Sequence, residues 1–567
     1  KKEKTEEEAK KAEKEKAVKM EEMVVTATRT EKDVLSVPAD VTVLSHEELV
    51  NTGGRNLVEA LKLTPGITYY AYGPMGISHG GMNSEISFRG EGRHPSTLVL
   101  INGVPISTPT HGSYDLDQIP LDMVERVEIV KGAASTLYGS DAFGGVVNII
   151  TKRPRDMKTS VSVEGGDHDY YDGKVGFHYK GLGITCSYKH LGDIDKLSRN
   201  HYRKYDYDFK GSDTYNAYFS YQIFDKLQLN YSYCHQEAEF NKVYWDPAKS
   251  PIPTEQEDDK HFVNLNYEDS SFKVKGFFNY DDLSYKYVTK GTTSTTRSST
   301  SGVDIQNSWQ IGSKSELLAG FTYKYDSGEY YSYEKHHRSN YAPFLQFSYE
   351  LFPGFTATVG ARNQWVDQDE GEDKSEFCPQ FQTIYKMTPA FSWYINVGKA
   401  FRMPTFTQLY HKSAWMEGNP NLKPEKGWNY ETGIKFRGKS FAFTLAPYYM
   451  ELDDKIVYSF NPAIGKTTTV NLGKFTNKGV EYNFNYFLGD NWELSVGGHW
   501  GDPVGEKPDG EEYQAGPKFQ IAAAIGYHGE KLSANLNATF TTSREYGLRS
   551  FQTVGANLSY RIGKGTL

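Results

Sequence analysis

"LSANLNATF", Leu532–Phe540, alternates at every step. Leu532, Ala534, Leu536, Ala538 and Phe540 share one side of an extended chain, and Ser533, Asn535, Asn537 and Thr539 share the other. Successive side chains of a strand point to opposite faces. The stretch therefore predicts a strand with one oily face and one wet face. "VEYNFNYF" (Val480–Phe487) and "FVNLNYED" (Phe262–Asp269) read the same way. Such segments, about ten residues long and separated by turn residues, recur from residue 155 onward. A soluble sandwich or propeller of this length needs far more inward apolar positions, or blade-like repeats, and neither is in the sequence. Asn and Thr facing inward with aliphatic and aromatic residues facing outward is the pattern of a strand in lipid.

Composition agrees. The 567 residues include 42 Tyr, 31 Phe and 53 Gly, yet only 38% are hydrophobic. No run of about 18 apolar residues predicts a membrane helix. A net charge of -9 gives no reason to expect a nucleic-acid partner. Cys186, Cys234 and Cys378 make neither a disulfide framework nor a CxxC pair. The predicted fold class is β: a transmembrane antiparallel β-barrel preceded by a small α/β unit.

About twenty strands are expected between residues 158 and 561. Short connections ("GLG", "FDK", "GSK", "GDN") alternate with long ones at 192–211, 239–257, 326–338 and 400–427. The sequence stops in "RIGKGTL" with no aromatic-ended closing strand, which predicts a cut chain and about 22 strands in the complete barrel. Residues 1–20, almost all Lys and Glu, predict a charged disordered tail. "EEMVVTATRT" (21–30) follows, a short β-branched patch. Residues 31–154 read as the α/β unit and residues 155–567 as the barrel. In the α/β unit, Ser45 with Glu48 forms a capping box, Pro65-Gly66 ends a short helix, and "EISFRG", "TLVLINGVPI" and "VERVEIVKG" read as strands.

The motifs resemble those of the TonB-dependent outer-membrane receptors. "EEMVVTATRT" resembles that family's energy-coupling box. "ISFRGEG", "TLVLINGVPI" and "IPLDMVERVEIVKGAASTLYGSDAFGGVVNIITKRP" resemble its plug domain, in detail that of the vitamin B12 receptors. "GKAFRMPTFTQLY" with "GNPNLKPEKGWNYETGIKF", and "NKGVEYNF", resemble its barrel segments. The resemblance implies an active importer in the outer membrane of a Gram-negative cell, with the plug inside the barrel and outer-membrane lipid around it. It implies a periplasmic TonB protein, energised from the inner membrane, as partner. Met23, Val24, Val25, Thr26 and Ala27 would pair edge-on with a strand of that partner. The expected cargo is a large metal chelate, a corrinoid first, a ferric siderophore or haem next. A passive porin is the reading from a different class, and it accounts for neither plug nor box.

Plug loops that face the ligand are expected at Tyr72, Met75, His79 and Met82, and at Thr108 and His111. A long barrel loop adds His411, in the stretch where haem receptors place an iron-ligating histidine, and Trp415. In "WNYETGIKF" the faces put Trp428, Tyr430, Ile434 and Phe436 toward lipid and Asn429, Glu431 and Lys435 toward the lumen, and Glu481 likewise faces the lumen. The resemblance then pairs Arg89 and Arg126 of the plug with Glu431 and Glu481. No catalytic constellation and no tightly bound cofactor are expected. Asp193, Asp195, Asp206, Asp208 and the run Glu255–Asp259 form a candidate set for loop-bound calcium.

Overall fold

The computed structural model describes residues 23–54, 56–64, 66–70, 85–90, 96–199, 206–242, 252–507, 509–542, 549–562 and 565–566. From Ser160–Gly165 to Phe551–Ile562, twenty strands follow one another in a single antiparallel ladder. Five short strands, Ile194–Arg199, Met416–Glu417, Val504–Glu506, Glu512–Gln514 and Gly565–Thr566, extend its loops. Among the described residues, the first and last strands of the ladder are not paired with each other.

The burial of this ladder is the inverse of a soluble protein's. Its inward residues are polar and covered: Ser220, Gln236 and Asn264 are fully buried. Its outward residues are apolar and uncovered: Leu345, Val359, Phe377 and Leu536 are more than half exposed. A lipid exterior is the environment that such a surface fits. Outward tyrosines mark an edge of this band, with Tyr171–Tyr188, Tyr188–Tyr215 and Tyr323–Tyr341 ring centroids at 5.7, 4.9 and 5.3 Å. Rings with a polar tip settle at such interfaces.

Three of the long connections expected from sequence are mostly strand. The stretch 326–338 holds the ends of Ser315–Tyr330 and Tyr333–Phe352, joined by a two-residue turn. Leu227–Lys242 and Ile252–Glu268 run far into 239–257, and Asp206–Phe224 into 192–211. Beyond the lipid both faces of a strand are wet. The alternation that reveals a strand therefore fades while the ladder continues. Only 400–427 is chiefly irregular, and it carries the short helix Phe406–Tyr410, capped by Thr405 and Gln408.

The α/β unit fills the lumen. Its sheet runs in the order Val41–Ser45, Val124–Lys131, Gly145–Thr151, Thr97–Ile101, Val104–Pro105, with one parallel pairing, between Thr97–Ile101 and Gly145–Thr151. Ser45 caps the helix His46–Asn51 through the expected box with Glu48, and Leu57–Leu61 forms the second helix. Leu49, Leu57, Leu61, Phe88, Val99, Val127, Ile129, Val147 and Ile149 pack between these helices and the sheet, each 1% exposed or less. Around this apolar centre the plug meets the barrel largely through polar groups, as a lumen lined with Asn, Gln and Ser requires, with apolar contacts where Phe262 and Phe277 join the plug core and where Leu137 packs on Leu318 and Phe344.

Leu345 sits about halfway along the lipid-facing part of its strand. Leu345→Lys should therefore cost the folded barrel about 2–4 kcal/mol, read as a lower midpoint in denaturant for refolding into lipid vesicles.

Candidate functional site

Three parts of the lumen carry chemistry, and the plug links them. The first is a charge cluster at mid-lumen. Arg89 follows the strand Glu85–Phe88, is fully buried, and has a left-handed backbone at φ +51°. Its Nη2 donates to Glu431 Oε2 (2.5 Å) and Glu481 Oε2 (2.8 Å), and its Nε to Glu481 Oε2 (3.0 Å). The guanidinium also lies 4.1 Å from the centre of the Tyr448 ring. The second cation is Lys131, whose Nζ is 3.2 Å from Glu481 Oε1 and 3.3 Å from Asp40 Oδ2. Tyr394 donates to Glu431 Oε1 (2.8 Å), and the Asp40 N–H donates to the same oxygen (3.0 Å).

Arg126 is not in this cluster. It lies five residues from Lys131 on the strand Val124–Lys131, about 16 Å away at 3.3 Å per residue. Its partners there are Glu125 (2.9 Å) and Glu128 (2.8 Å). The sequence pairing of Arg126 with the barrel glutamates is thereby corrected, and Lys131 takes the second place. The cluster holds two cations and three carboxyls. Burial pushes the Asp40 carboxyl above its usual range against the pull of Lys131.

The second part is the N-terminal segment. Met23–Val24 pairs with Lys32–Asp33, and Val25 to Thr30 turn between them. Glu128 Oε2 accepts from the Val25 N–H (2.9 Å), the Thr26 N–H (2.8 Å) and the Thr26 hydroxyl (2.6 Å). Asn148 donates to Thr26 Oγ1, and Tyr138 to the Thr26 carbonyl, both at 2.9 Å. Val24 is buried with Val34, Val37, Val41 and Val130. Arg29, also left-handed at φ +56°, donates from Nη1 to both oxygens of barrel Asp304 (2.8 and 3.0 Å). The five residues read as an open edge are thus stowed against the plug. Arg126 gains its place here, because it holds the carboxylate that clasps them. Lys32–Glu316 (2.7 Å) and Asp33–Arg437 (3.0 Å) lie beside short turns, so the segment faces the short-turn rim.

The third part is an aromatic and imidazole cage at the opposite rim. The plug loop 107–115 rises against the helix Phe406–Tyr410: the Phe406 and Thr407 N–H groups donate to the Pro109 and Thr110 carbonyls, both at 3.0 Å. This brings His111 edge-on to Tyr330, centroids 5.1 Å apart. Tyr330 lies 5.9 Å from His411, and His411 5.4 Å from Trp415, which is 61% exposed. Tyr331 stands perpendicular to His411 at 6.2 Å, and His336 stacks on Tyr410 at 3.8 Å. His411 Nδ1 is held by Ser332 (3.0 Å) and Nε2 by Ser413 (3.1 Å). Among the described residues, the one side-chain hydrogen bond of His111 is from Nδ1 to Thr110 (3.2 Å). Burial, and then His411, pushes the His111 imidazole down to about 4, and burial alone does the same for His411. Both rings are neutral near pH 7.

Of the residues read from sequence, His111, His411 and Trp415 meet here. Thr108 lies lower, bonded to Ser113 (3.2 Å). Tyr72, Met75, His79 and Met82 lie outside the described residues. Tyr330, Tyr331, His336 and Tyr410 were missed. The density of rings in "EYYSYEKHH" (Glu329–His337) was the available signal. Of the carboxylates named for calcium, the run Glu255–Asp259 lies in the strand Ile252–Glu268. Glu257 and Asp259 approach His235 instead, their ligand atoms within 4.8 Å, the only such group among the described residues.

Comparison with known proteins places this geometry. Residues 33–146 match the TonB-dependent receptor plug domain, and residues 160–567 match the TonB-dependent receptor-like β-barrel. The vitamin B12 transporter BtuB of Photobacterium profundum is 29% identical over 506 residues, 82% of this chain and 76% of that protein. The iron-regulated outer membrane virulence protein of Vibrio cholerae is 26% identical over 519 residues, 84% of this chain and 77% of that protein. Among solved structures, a ferric enterobactin receptor (PfeA) aligns with a TM-score of 0.73 at 17% identity, covering 92% of both chains. The siderophore receptor PirA of Acinetobacter baumannii aligns with a TM-score of 0.70 at 18% identity, again covering 92% of both chains.

Removing Arg89 leaves buried Glu431 without its ion pair and Glu481 with Lys131 alone, a loss of about 3–5 kcal/mol in seating the plug. Arg89→Ala should raise leakage of bulky antibiotics through the outer membrane, whereas Arg126→Ala should leave leakage unchanged and expose residues 23–27 to protease. The cage predicts a pH profile too. Neutral imidazoles with depressed pKa values are favoured in the fold down to about 4. Ligand affinity should stay flat from pH 8 to about 5 and fall as pH nears 4, where the folded cage itself takes up protons, whereas its folding stability falls earlier, between about 6.5 and about 4, where the unfolded chain binds protons and the native cage does not.

Proposed function

The chain belongs to the TonB-dependent receptors of the Gram-negative outer membrane, and from that premise we propose that it imports a bulky metal chelate of the corrinoid class. The observation that carries this reading is the cage at the long-loop rim. It offers His111, His411, Tyr330, Tyr331 and Trp415, with both imidazoles uncharged. Flat neutral rings suit a large ligand held by stacking and by hydrogen bonds from its periphery. A highly anionic iron chelate asks instead for arginine and lysine, whereas the contacts that set His111, Tyr330, Tyr331, His411 and Trp415 side by side are ring against ring. The likeness to vitamin B12 transporters, at 29% identity, supports the same choice.

Haem is the second reading, favoured by one observation: imidazoles from plug and barrel flank a single tyrosine, Tyr330. Iron ligation by His411 would first require release of Ser332 or Ser413, so the corrinoid stands ahead.

Transport would then proceed by capture at the cage, release of the N-terminal segment from Glu128, and force from the periplasmic partner on that segment. Each step has a residue to answer for it. The clasp must open before Val25 can pair with another strand, because its N–H is already bonded. Force on residues 23–27 then reaches Arg29 and, through Val24, the edge strand Val41–Ser45.

Two measurements test this. Titration of the purified receptor with cyanocobalamin and with haemin, followed by visible spectroscopy, should show saturable binding of the corrinoid that His111→Ala and Trp415→Ala weaken about tenfold each, a loss of about 1.4 kcal/mol. Tight binding of haemin with a six-coordinate spectrum, and none of cobalamin, would select the second reading. Val25→Pro removes the N–H that either Glu128 or a partner strand must use. Uptake should stop while capture at the cell surface continues.

A further inference from the structure

Beside the stowed segment the lumen holds more positive charge than the fold itself answers. Arg362, on the strand Phe355–Gln368, is 3% exposed. Among the described residues it makes one hydrogen bond, from Nη1 to the Leu137 carbonyl (3.3 Å), and no ion pair. Its Nε has no partner. Arg29, from the plug, is 8% exposed, and although Nη1 is bound to Asp304, its Nε has no partner either. The two guanidinium carbons lie 4.5 Å (Arg29) and 5.8 Å (Arg362) from the centre of the same ring, Phe344.

Both arginines line one cavity of about 60 Å³ between plug and wall. Lys324 and Arg338 line it as well, and they share a single carboxylate, Asp326, at 3.2 and 3.0 Å. The acids on its walls are Asp304, already bound to Arg29, Asp326, and Asp141. Four cations therefore face three acids. Burial pushes the Asp141 carboxyl above its usual range despite Lys324. The guanidinium of Arg362 also rests where a side chain is missing. Gly139 has φ +82°, and a Cβ on it would come 3.1 Å from Nη2 and 3.2 Å from Nε. A buried guanidinium with no anion beside it is costly, whereas paired forks of N–H groups match a tetrahedral oxyanion.

We propose that this cavity is an anion seat, taking a phosphate-class oxyanion between Arg29 of the plug and Arg362 of the barrel. The ion ties the arginine that anchors the N-terminal segment to the wall. Its source is free phosphate or a phosphate group on a chelate passing through the lumen.

The test is the thermal midpoint of the receptor in detergent, in chloride-free buffer at constant ionic strength, with and without inorganic phosphate. The midpoint should rise by about 2–4 °C at saturation. Arg362→Gln should abolish the rise. Gln364→Glu, which puts a carboxylate on the same face of the strand two residues away, should also abolish it while raising the midpoint in phosphate-free buffer. This second variant covers the case in which Arg362→Gln fails to fold. Uptake separates the sources. Loss of uptake with normal surface capture in Arg362→Gln assigns the seat to a chelate in transit, and normal uptake assigns it to the free ion. A midpoint that ignores phosphate in the unsubstituted chain, or rises equally in both variants, overturns the proposal.

Discussion

A guanidinium with no water around it calls for an anion beside it, and the placing of Arg89 between Glu431 and Glu481 organises this molecule. The barrel exists because backbone in lipid has to pair with itself. A ladder of twenty strands encloses a lumen wide enough for a second domain. That domain meets a few apolar wall residues, such as Leu318 and Phe344 against Leu137, but most of the wall is Asn, Gln, Ser and Thr. It is held by charge and hydrogen bonds, which are strong only where water is excluded and geometry is met. Such contacts resist leakage well and tolerate displacement poorly, as a removable stopper requires.

The same logic runs outward from the cluster. Val124–Lys131 carries Glu128, which clasps the N-terminal segment, and Lys131, which touches Glu481. One strand thus joins the stowed N-terminal segment to the charges that seat the plug. At the far rim, loop 107–115 is bonded through its backbone to the barrel helix Phe406–Tyr410. The proposed capture of ligand at His111 and Trp415 would therefore bear on plug and wall together. Coupling between the rims needs a contiguous set of packed groups. The path from loop 107–115 through Thr97–Ile101 and Gly145–Thr151 to Val124–Lys131 is one sheet, bonded strand to strand.

Most of the architecture was legible in the sequence. The period-two alternation of "WNYETGIKF" put Glu431 and Lys435 inward, where the structure has them, at 3% and 2% exposure. Ser45 with Glu48 announced a helix start, and one is there. Contacts between segments far apart in the chain were not legible. Nothing local in "VERVEIVKG" tells Arg126 from Lys131 as partner to the barrel; the distance along the strand decides it. Nor does "EEMVVTATRT" reveal that it is stowed, because its clasp, Glu128, lies about a hundred residues away. Extended strands above the membrane were misread as loops because alternation needs an oily side to be visible. The aromatic cage was half read: single residues stood out in "THGSYD" and "YHKSAW", but only folding sets them around Tyr330.

The left-handed backbones of Arg29 and Arg89 carry a last consequence. A side-chain-bearing residue held at positive φ sits uphill by about 1–3 kcal/mol, and two of the residues that fasten the plug to the wall are held so. Freed from Asp304, Glu431 and Glu481, each can relax to an ordinary conformation. The resting plug is therefore a cocked latch: once its ion pairs part, the backbone favours staying open, and closing again must rebuild both twists.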